Sequence, residues 1–485
     1  MRLRELACWV EPEMRDLLVL IGVVILLACY ASVACRTRVI ALSLLILMAP
    51  WRSILSHLGG EPFVIGSARV GVVAIVLDGM LVILLTSWVS LHLISGRPFY
   101  LAVRMMPIYV AIMAMFVFAS PSLMGGMIGF RNTALVVTAA IIAADEVKEE
   151  RDLIVLAVAL IGGALPFAVL GIAQFYLGGR LPGWLQYESG VPATALAGVM
   201  GYFRANGTIG NPLVYGHFVA LPVLMVYPLL AVTRAKLAFY TFVGLAIGIV
   251  AVGVSLSRSS WYGLLPGLVA TTILNWRNGA WRGAVSLIGA TALLLFAVTP
   301  EMRGAFADRF LSADAGSQQT AMTRLETAQL AASGLSRKHI LGVGLGRYGG
   351  GYGRFVPLSE EESIKANGVL VTDNYYLKLL IETGIAGLTA FTLLLAETLV
   401  RLYRSARFCQ REIPRALAIG SIGCAVATVF TGLFSNSLDS RIVGLYFWLA
   451  VGIGLGAEKV EATEQSEMND PITRNLISFR WWPSR

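Results

Sequence analysis

Long apolar runs constrain this chain more than any other feature of its sequence. Each is long enough to cross the hydrocarbon core of a bilayer, which takes about 20 apolar residues. Only 14% of the 485 residues are charged, whereas a soluble domain carries about 25%. In lipid every backbone polar group must be paired within the protein, so these runs predict helices. We therefore predict an all-α fold, a polytopic transmembrane helical bundle of about 12–14 helices with one large extracytoplasmic loop. The clearest runs cover residues 17–34, 70–94, 153–177, 237–254 and 375–400.

The polar stretches between the runs divide the chain into five predicted regions. These are N-terminal transmembrane helices (1–178), central transmembrane helices with arginine motifs (179–299), a large periplasmic loop (300–373), C-terminal transmembrane helices (374–457) and a cytoplasmic tail (458–485). The predicted spans lie near 17–34, 39–54, 70–95, 101–120, 125–143, 152–178, 212–232, 236–255, 259–275, 283–299, 374–400, 415–434 and 440–457.

A cluster of arginines after the run 375–400 sets the predicted orientation. Positive charges in short loops mark the cytoplasmic side, and only Glu412 opposes this cluster. Counting spans backwards places 300–372 and 179–211 outside. The same count puts the N-terminus outside, although Arg2, Arg4 and Arg15 favour the cytoplasm. We therefore expect one early segment, 39–54 or 125–143, not to be a span. The cluster consists of Arg401, Arg404, Arg407, Arg411 and Arg415.

The first polar motif at the predicted outer boundary is the segment GYFRANGTIGNPLVYGHF, residues 201–218. Gly207 permits a tight turn, and Asn211 followed by Pro212 is typical of a helix start. Free amides at a helix start favour an anion, and Arg204 adds a full positive charge. The alternative is a simple loop and helix cap, with Arg204 lying among the lipid headgroups.

The second motif, SLSRSSW at residues 255–261, carries Arg258 between two apolar runs with almost no loop around it. A charge at this depth is costly and often functional. The guanidinium of Arg258 either extends to the headgroups or points into a cavity, where its planar fork can bind a phosphate.

The third motif, VTDNYYLKLLIETGIAG at residues 371–387, opens the long run after the outer loop. Asp373 is a candidate N-cap, a role that does not exclude catalysis. Lys378 and Glu382 are four residues apart on one helix face, so they can pair. Glu382 lies about two turns into the span and is expected to face protein or a cavity.

The outer loop supplies further cations, among them Arg324, Arg347 and Lys365. Its GVGLG segment lacks the spacing of a nucleotide-binding loop. The four histidines form no HExxH motif and the five cysteines no CxxC pair, so neither a metal site nor a cofactor is expected. Dispersed charges argue against nucleic acid as a partner. Asp78, alone in an apolar run, is either functional or held by a buried hydrogen bond.

RANGTIGNP, SLSRSSW, GVGLGRY and DNYYLKLLIETGIAGL follow one another in this order within residues 201–388. Together they resemble the O-antigen ligase and O-antigen polymerase superfamily. The resemblance implies a metal-independent, membrane-embedded glycosyltransferase of the GT-C class, using sugars on undecaprenyl diphosphate at the periplasmic face of the bacterial inner membrane. It further implies that Arg204 and Arg258 contact the diphosphate and that the catalytic region lies at Asp373–Asn374. Ligases of the family have His–Asn at this position, so Asp373 favours a polymerase.

We therefore expect a polymerase of lipid-linked oligosaccharide repeat units for O-antigen, capsule or exopolysaccharide. A ligase that moves finished polymer onto lipid A-core, and a transporter of lipid-linked sugars, are the alternatives. The expected catalytic residues are Asp373, Arg258 and Arg204. The expected substrate-binding residues are Asn374, Asn211, Arg324, Arg347, Tyr376, Lys365 and Glu382. The expected partners are a lipid-linked donor, an acceptor glycan, membrane lipids and a chain-length regulator.

Overall fold

A computed structural model provides the architecture of the chain. It describes residues 12–51, 54, 63–65, 68–70, 72–120, 123–178, 203–209, 211–232, 235–276, 342, 344–346 and 374–469. Within these ranges almost all of the chain is helical, so the predicted all-α polytopic bundle is confirmed.

Most helices follow the predicted spans to within a few residues, whereas the helices that begin at Tyr375 and Arg441 continue well beyond the predicted ends at 400 and 457. The helices are α1 (Pro12–Arg36), α2 (Arg38–Met48), α3 (Val72–Ser95), α4 (Met105–Ala119), α5 (Leu123–Phe130), α6 (Val137–Glu146), α7 (Glu150–Tyr176), α8 (Pro212–Val226), α9 (Ala235–Val254), α10 (Arg258–Asn275), α11 (Tyr375–Phe408), α12 (Glu412–Phe434) and α13 (Arg441–Asn469). A π-helical turn, Arg131–Leu135, joins α5 to α6, and 3₁₀ turns cover Ala49–Trp51, Tyr227–Ala231 and Ser437–Asp439.

Seven helices in the described part of the chain are long and apolar enough to cross a membrane. They are α3, the continuous α5–α6 unit, α7, α8 with its following turn, α11, α12 and α13. Shorter apolar helices cover Ile21–Arg36, Arg38–Trp51, Met105–Ala119 and Ala238–Val254. The predicted span 283–299 lies outside the described residues.

Of the two early segments that the orientation argument questioned, Leu123–Glu146 is long enough to cross a membrane, whereas Arg38–Trp51 is one of the shorter apolar helices. Two features differ from the sequence-based expectation. Strands β1 (Phe63–Ile65) and β2 (Ala68–Val70) form a small antiparallel hairpin, too short to produce a recognisable alternation of polar and apolar residues. Helix α13 continues to Asn469 instead of ending near 457, because hydropathy detects only the apolar part of a helix.

Polar contacts show that the helices alternate in direction and share two common ends. At one end, called here the Asn374 end, the start of α11 contacts the end of α12, because Asn374 Nδ2 donates to the Leu433 carbonyl at 3.0 Å. At the other, the Arg411 end, Arg411 Nη2 lies 2.6 Å from the carboxylate of Glu150, the first residue of α7. The three predicted polar motifs therefore lie at one end wherever they are described.

Helix α12 packs against several neighbours through small residues. A Cβ atom at Gly263 of α10 would lie 1.9 Å from Thr431 Oγ1, and one at Gly420 would lie 2.6 Å from the Met225 carbonyl oxygen. Such close approach stabilises helix pairs in lipid, where the hydrophobic effect between helices is weak. The Gly263–Thr431 contact fixes α10 against α12 near the Asn374 end.

Candidate active site at the Asn374 end

The loop 203–209, which carries Arg204, folds around a buried glutamine from α7. Gln174 Oε1 accepts hydrogen bonds from the backbone amides of Asn206 (3.0 Å) and Gly207 (3.1 Å), and its Nε2 donates to Asn206 Oδ1 at 2.9 Å. Asn206 Oδ1 also accepts from the Thr208 amide at 3.0 Å. Every polar atom of the glutamine amide thus serves to hold this loop in one conformation.

Backbone strain is concentrated in the same loop. Gly207 has φ +54° and Thr208 has φ +65°, a conformation that is rare for a residue with a branched side chain. A Cβ atom at Gly207 would lie 2.3 Å from the ring of Tyr215, so only glycine fits. Strained backbone of this kind clusters at functional sites because the surrounding structure has to enforce it.

The turn between α9 and α10 is built from buried serines. Ser257 caps α10 by accepting from the Ser260 amide at 3.4 Å, and Ser260 Oγ donates to Ser257 Oγ at 2.9 Å. Leu256 within this turn has φ +49°. Gly216 of α8 allows the close approach, because a Cβ atom there would lie 2.4 Å from Ser260 Oγ.

Arg204 and Arg258 flank this serine turn. Arg204 Nε donates to the Ser255 carbonyl at 3.4 Å, and Arg258 is the first residue of α10, directly after Ser257. The Ala205 amide also donates to the Val254 carbonyl at 3.1 Å, which fixes the loop against the turn. Arg258 forms no ion pair with a described carboxylate. Arg204 and Ser255 are 51 positions apart in the sequence. Their contact places Arg204 against the same turn from which the helix that begins with Arg258 starts.

The start of α11 lies next to this pair of arginines. Asn374 Oδ1 caps the helix by accepting from the Leu377 amide at 2.9 Å, and Tyr376 donates to the Val429 carbonyl at 3.1 Å. Tyr262, one turn beyond Arg258, packs on Phe434 with ring centroids 4.9 Å apart. The end of α12 therefore holds the start of α10 and the start of α11 side by side.

A buried charge cluster supports α11 one turn below its start. Lys378 pairs with Asp439 and lies 3.3 Å from the carboxylate of Glu382, which confirms the predicted Lys378–Glu382 pair. The side chains of Lys378 and Glu382 are 1% and 0% exposed. Charges buried to this degree require partners, so the cluster locks α11 to the Ser437–Asp439 turn.

Part of the outer-loop glycine segment enters the bundle beside this cluster. The Gly344 amide donates to the Glu382 carbonyl at 3.0 Å, and Gly384 interrupts α11 with φ 64° and ψ −164°. A Cβ atom at Gly346 would lie 2.2 Å from the Gly125 carbonyl oxygen. Gly344 and Gly346 therefore contact the backbones of α11 and α5. This role differs from phosphate binding.

The remaining predicted site residues fall into two groups. Asn211 accepts from the Leu213 amide at 2.8 Å and caps α8, as its position before Pro212 predicted. Asp373, Arg324, Arg347 and Lys365 lie outside the described residues, although Asp373 directly precedes Asn374.

Sequence reasoning missed Gln174, Asp439 and His217. His217 Nδ1 lies 2.7 Å from Ser437 Oγ and its Nε2 lies 3.3 Å from Thr428 Oγ1, so it connects α8 to α12 and to the turn before α13. Asp439 could have been found, because span counting places it on the same side as Lys378. Gln174 gives no local signal, since its partners lie 32 residues away.

At the Arg411 end, His92, Asp145 and Glu146 present ligand atoms within 4.8 Å of one another, a spacing that could suit a metal ion. These atoms already have protein partners. Asp145 Oδ2 accepts from Trp88 and lies 2.7 Å from His92 Nε2, and Glu146 pairs with Arg38 at 3.3 Å. The grouping is therefore explained as a structural network of the protein.

A comparison with known protein families narrows the functions that this candidate site could have. Residues 216–392 match the model of a family described as O-antigen ligase. The match supports a relationship of this segment to the O-antigen ligase and polymerase superfamily. The matched segment contains Arg258, Asn374 and Tyr376, whereas Arg204 precedes it. No curated protein matches the chain.

This similarity supports an O-antigen ligase or polymerase type of function in polysaccharide biosynthesis, and the matched family implies lipid-linked oligosaccharides as substrates. The match does not separate polymerases from ligases. Chemically, the Asn374 end offers two guanidinium groups beside a fixed helix start. This arrangement suits a substrate that carries negative charge and reacts at the membrane surface.

Proposed function

We propose that this protein polymerises lipid-linked oligosaccharide repeat units, transferring a glycan from undecaprenyl diphosphate to a hydroxyl of an acceptor sugar. The observation that carries the proposal is the meeting of Arg204, Arg258 and the start of α11 at one end of the bundle. The product is an O-antigen, capsule or exopolysaccharide chain.

Arg204 and Arg258 hold the diphosphate of the donor. A guanidinium binds phosphate oxygens through two parallel hydrogen bonds, and the serine turn fixes both arginines before substrate arrives. Positive groups that are already in position beside the leaving group stabilise its growing negative charge, and this is among the strongest contributions to catalysis. Arg324 and Arg347 of the outer loop add to this positive field. The reaction accordingly needs no metal ion.

Asp373 acts as the general base. Its carboxylate takes the proton of the acceptor hydroxyl, while that oxygen forms a bond to the anomeric carbon of the donor. The bond from this carbon to the diphosphate oxygen breaks, and its electron pair leaves with the diphosphate. A single displacement of this kind inverts the anomeric configuration.

Asn374 positions Asp373 within this scheme. Both ends of its amide are engaged, with Oδ1 on the Leu377 amide and Nδ2 on the Leu433 carbonyl. This revises the expected substrate contact of Asn374 into support of the neighbouring base. Glu382 similarly acts through Lys378, because its side chain is fully buried. Tyr376, Asn211 and Lys365 remain candidates for binding the glycan.

The proposal places the protein in the bacterial inner membrane with the Asn374 end facing the periplasm. The arginines in the last turns of α11 support this orientation, because Arg404 and Arg407 are exposed at the opposite end. A chain-length regulator is the proposed protein partner.

Analysis of carbohydrate and lipid carrier in the native host tests the proposal. In Asp373→Ala cells, long polymer disappears and single repeat units accumulate on the carrier, whereas Asp373→Glu retains part of the output. Long chains that stay on the carrier and fail to reach the final acceptor would instead establish a ligase, which the family match does not separate from a polymerase.

Labelling with a membrane-impermeant thiol reagent tests the orientation. After Cys8, Cys29 and Cys35 are replaced by Ala, Leu177→Cys should react in intact spheroplasts and Arg404→Cys only after permeabilisation. Burial raises the pKa of the Cys409 thiol to about 12, so this native cysteine should not react. Reaction of Arg404→Cys from outside would contradict both glycosyltransferase functions.

A further inference from the structure

A second cluster of positive charge lies at the Asn374 end, apart from Arg204 and Arg258. Arg131 Nη1 lies 3.2 Å from Asp78 Oδ2, and Arg441 pairs with the other oxygen, Oδ1, of the same carboxylate. Asp78 comes from α3, Arg131 from the π-helical turn and Arg441 from the first position of α13. The isolated aspartate of the sequence therefore has two arginine partners.

This cluster adjoins the proposed active site through the short segment between α12 and α13. Asp439 in that segment binds Lys378 of α11, and two residues later Arg441 binds Asp78. The π-helical turn contacts the Ser437–Asp439 turn directly. The Asp78 cluster therefore lies near the start of α11, through the Ser437–Asp439 turn.

Charge and exposure distinguish the Asp78 cluster from a simple ion pair. In the part of the chain that the structure describes, one carboxylate pairs with two guanidinium groups, so these three side chains carry a net charge of one positive unit. The neighbouring Lys378 cluster has the opposite excess but is sealed, with side-chain exposures of 1%, 0% and 12% for Lys378, Glu382 and Asp439. Asp78 and Arg131 are 26% and 22% exposed, so the positive cluster is the accessible one.

The setting of Arg131 also points to a ligand. Arg131 lies inside the apolar unit Leu123–Glu146, where a charge is costly unless it serves a site. Arg131 Nε donates to Asn132 Oδ1 at 3.2 Å, which fixes the plane of the guanidinium. The π-helical turn itself is a rare feature that occurs frequently at functional sites.

We propose that Arg131 and Arg441 form a second anion site that binds the diphosphate of the acceptor. The inference rests on the proposed polymerase function, in which both substrates are lipid-linked and both carry a diphosphate at the same membrane face. Asp78 pairs with both guanidinium groups in the absence of acceptor and competes with the acceptor diphosphate for them. A ligase has no need of this site, because its acceptor is not a lipid-linked diphosphate.

Two blocked substrates separate the two sites in a purified enzyme. A repeat unit joined to its lipid diphosphate through carbon serves only as acceptor, and one lacking the acceptor hydroxyl serves only as donor. Arg131→Gln raises the KM for the acceptor-only substrate about tenfold or more, the effect of losing a charge-assisted hydrogen bond. Its KM for the donor-only substrate stays within twofold of wild type.

Asp78→Asn distinguishes ligand binding from a structural role. This variant keeps both arginines and removes the competing carboxylate, so the acceptor KM stays equal or falls. A purely structural ion cluster requires Asp78→Asn and Arg131→Gln to impair the enzyme in the same direction. If Arg131→Gln does not accumulate, Arg131→Lys replaces it, with the same KM pattern at smaller size because the planar fork is lost.

A diphosphate-free acceptor oligosaccharide completes the test. Wild type uses it poorly, and Arg131→Gln uses it no worse than wild type does. An unchanged acceptor KM in Arg131→Gln, or a rise in both KM values, overturns the second site. Absence of any polymer from wild type with lipid-linked repeat units alone overturns the proposed function instead.

Discussion

The two ends of the bundle use charge in different ways. At the Arg411 end, cations and anions combine into closed networks, such as Arg38 with Glu146 and Arg411 with both Glu150 and Glu464. At the Asn374 end, Arg258 has no carboxylate partner among the described residues, and Asp78 is shared by two arginines. Among the described residues, the carboxylates named at the Arg411 end each have a cation, whereas Arg258 and the Asp78 cluster at the Asn374 end have more cations than carboxylates.

This difference separates stability from function along one membrane axis. Closed networks of ion pairs fix helix ends without a ligand. A positive charge without a carboxylate partner lowers the stability of the protein unless a bound anionic substrate compensates it. Strained backbone follows the same division, because the positive φ angles of Thr208 and Leu256 both occur at the Asn374 end. The Asn374 end is therefore where substitutions should alter catalysis.

Substitution of Lys378 should have the largest effect, which is a loss of stability. Lys378→Met leaves Glu382 and Asp439 buried without a cation, which typically costs about 3–5 kcal/mol. The apparent unfolding temperature in detergent should fall sharply. Adding Glu382→Gln and Asp439→Asn to this variant removes the unpaired charges and should restore most of the loss. A single variant as stable as wild type would contradict the assigned ion cluster.

Arg258→Ala should give the largest loss of catalysis with normal folding. Removing one preformed donor to a developing anion typically lowers the rate by about 10²–10³-fold. Arg404→Ala is the matched control, since Arg404 is an exposed arginine at the Arg411 end, and its transfer rate should stay within about twofold of wild type. Equal losses in both variants would remove the distinction between the ends.

Gly207→Ala should act through the loop that carries Arg204. The new Cβ atom meets the Tyr215 ring at 2.3 Å, and local strain of about 1–3 kcal/mol should lower activity about tenfold by displacing Arg204. Gly178→Ala is the control, because Gly178 has a similar φ of +59° with nothing within 4 Å of the added atom. Similar transfer rates for the two variants would show that the position of this loop does not matter.

The smallest effect is expected at Arg411. Its side chain is 41% exposed, and exposed ion pairs contribute about 0–1 kcal/mol. Arg411→Ala should shift the unfolding temperature slightly and leave polymer output unchanged. A large loss of output would show that the Arg411 end also takes part in function.

Most of the fold could be predicted from hydropathy alone. The predicted spans 236–255 and 259–275 correspond to Ala235–Val254 and Arg258–Asn275, because apolar length and helix caps are local properties of the sequence. The extension of α13 to Asn469 could not be predicted from hydropathy, since that part of the helix is polar. Its residues Lys459 and Glu461 contact Asp145 and Gln410.

The sequence motifs of the candidate site could be recognised in advance, whereas the side-chain contacts that hold them in place could not. Arg204, Arg258 and Asn374 stand out through residue type beside apolar runs. Asp78 and Arg441 pair across 363 positions, and no periodicity in one sequence records such a contact. Side-chain pairs between distant helices depend on packing, which the sequence of each helix does not specify by itself.

Reconstitution of the purified protein in liposomes with lipid-linked repeat units as the sole glycan tests the central claim most directly. The account predicts a ladder of polymer, one undecaprenyl diphosphate released for each new glycosidic bond, and loss of both in Arg258→Ala. Absence of a ladder until lipid A-core is added, or a full ladder from Arg258→Ala, would contradict it.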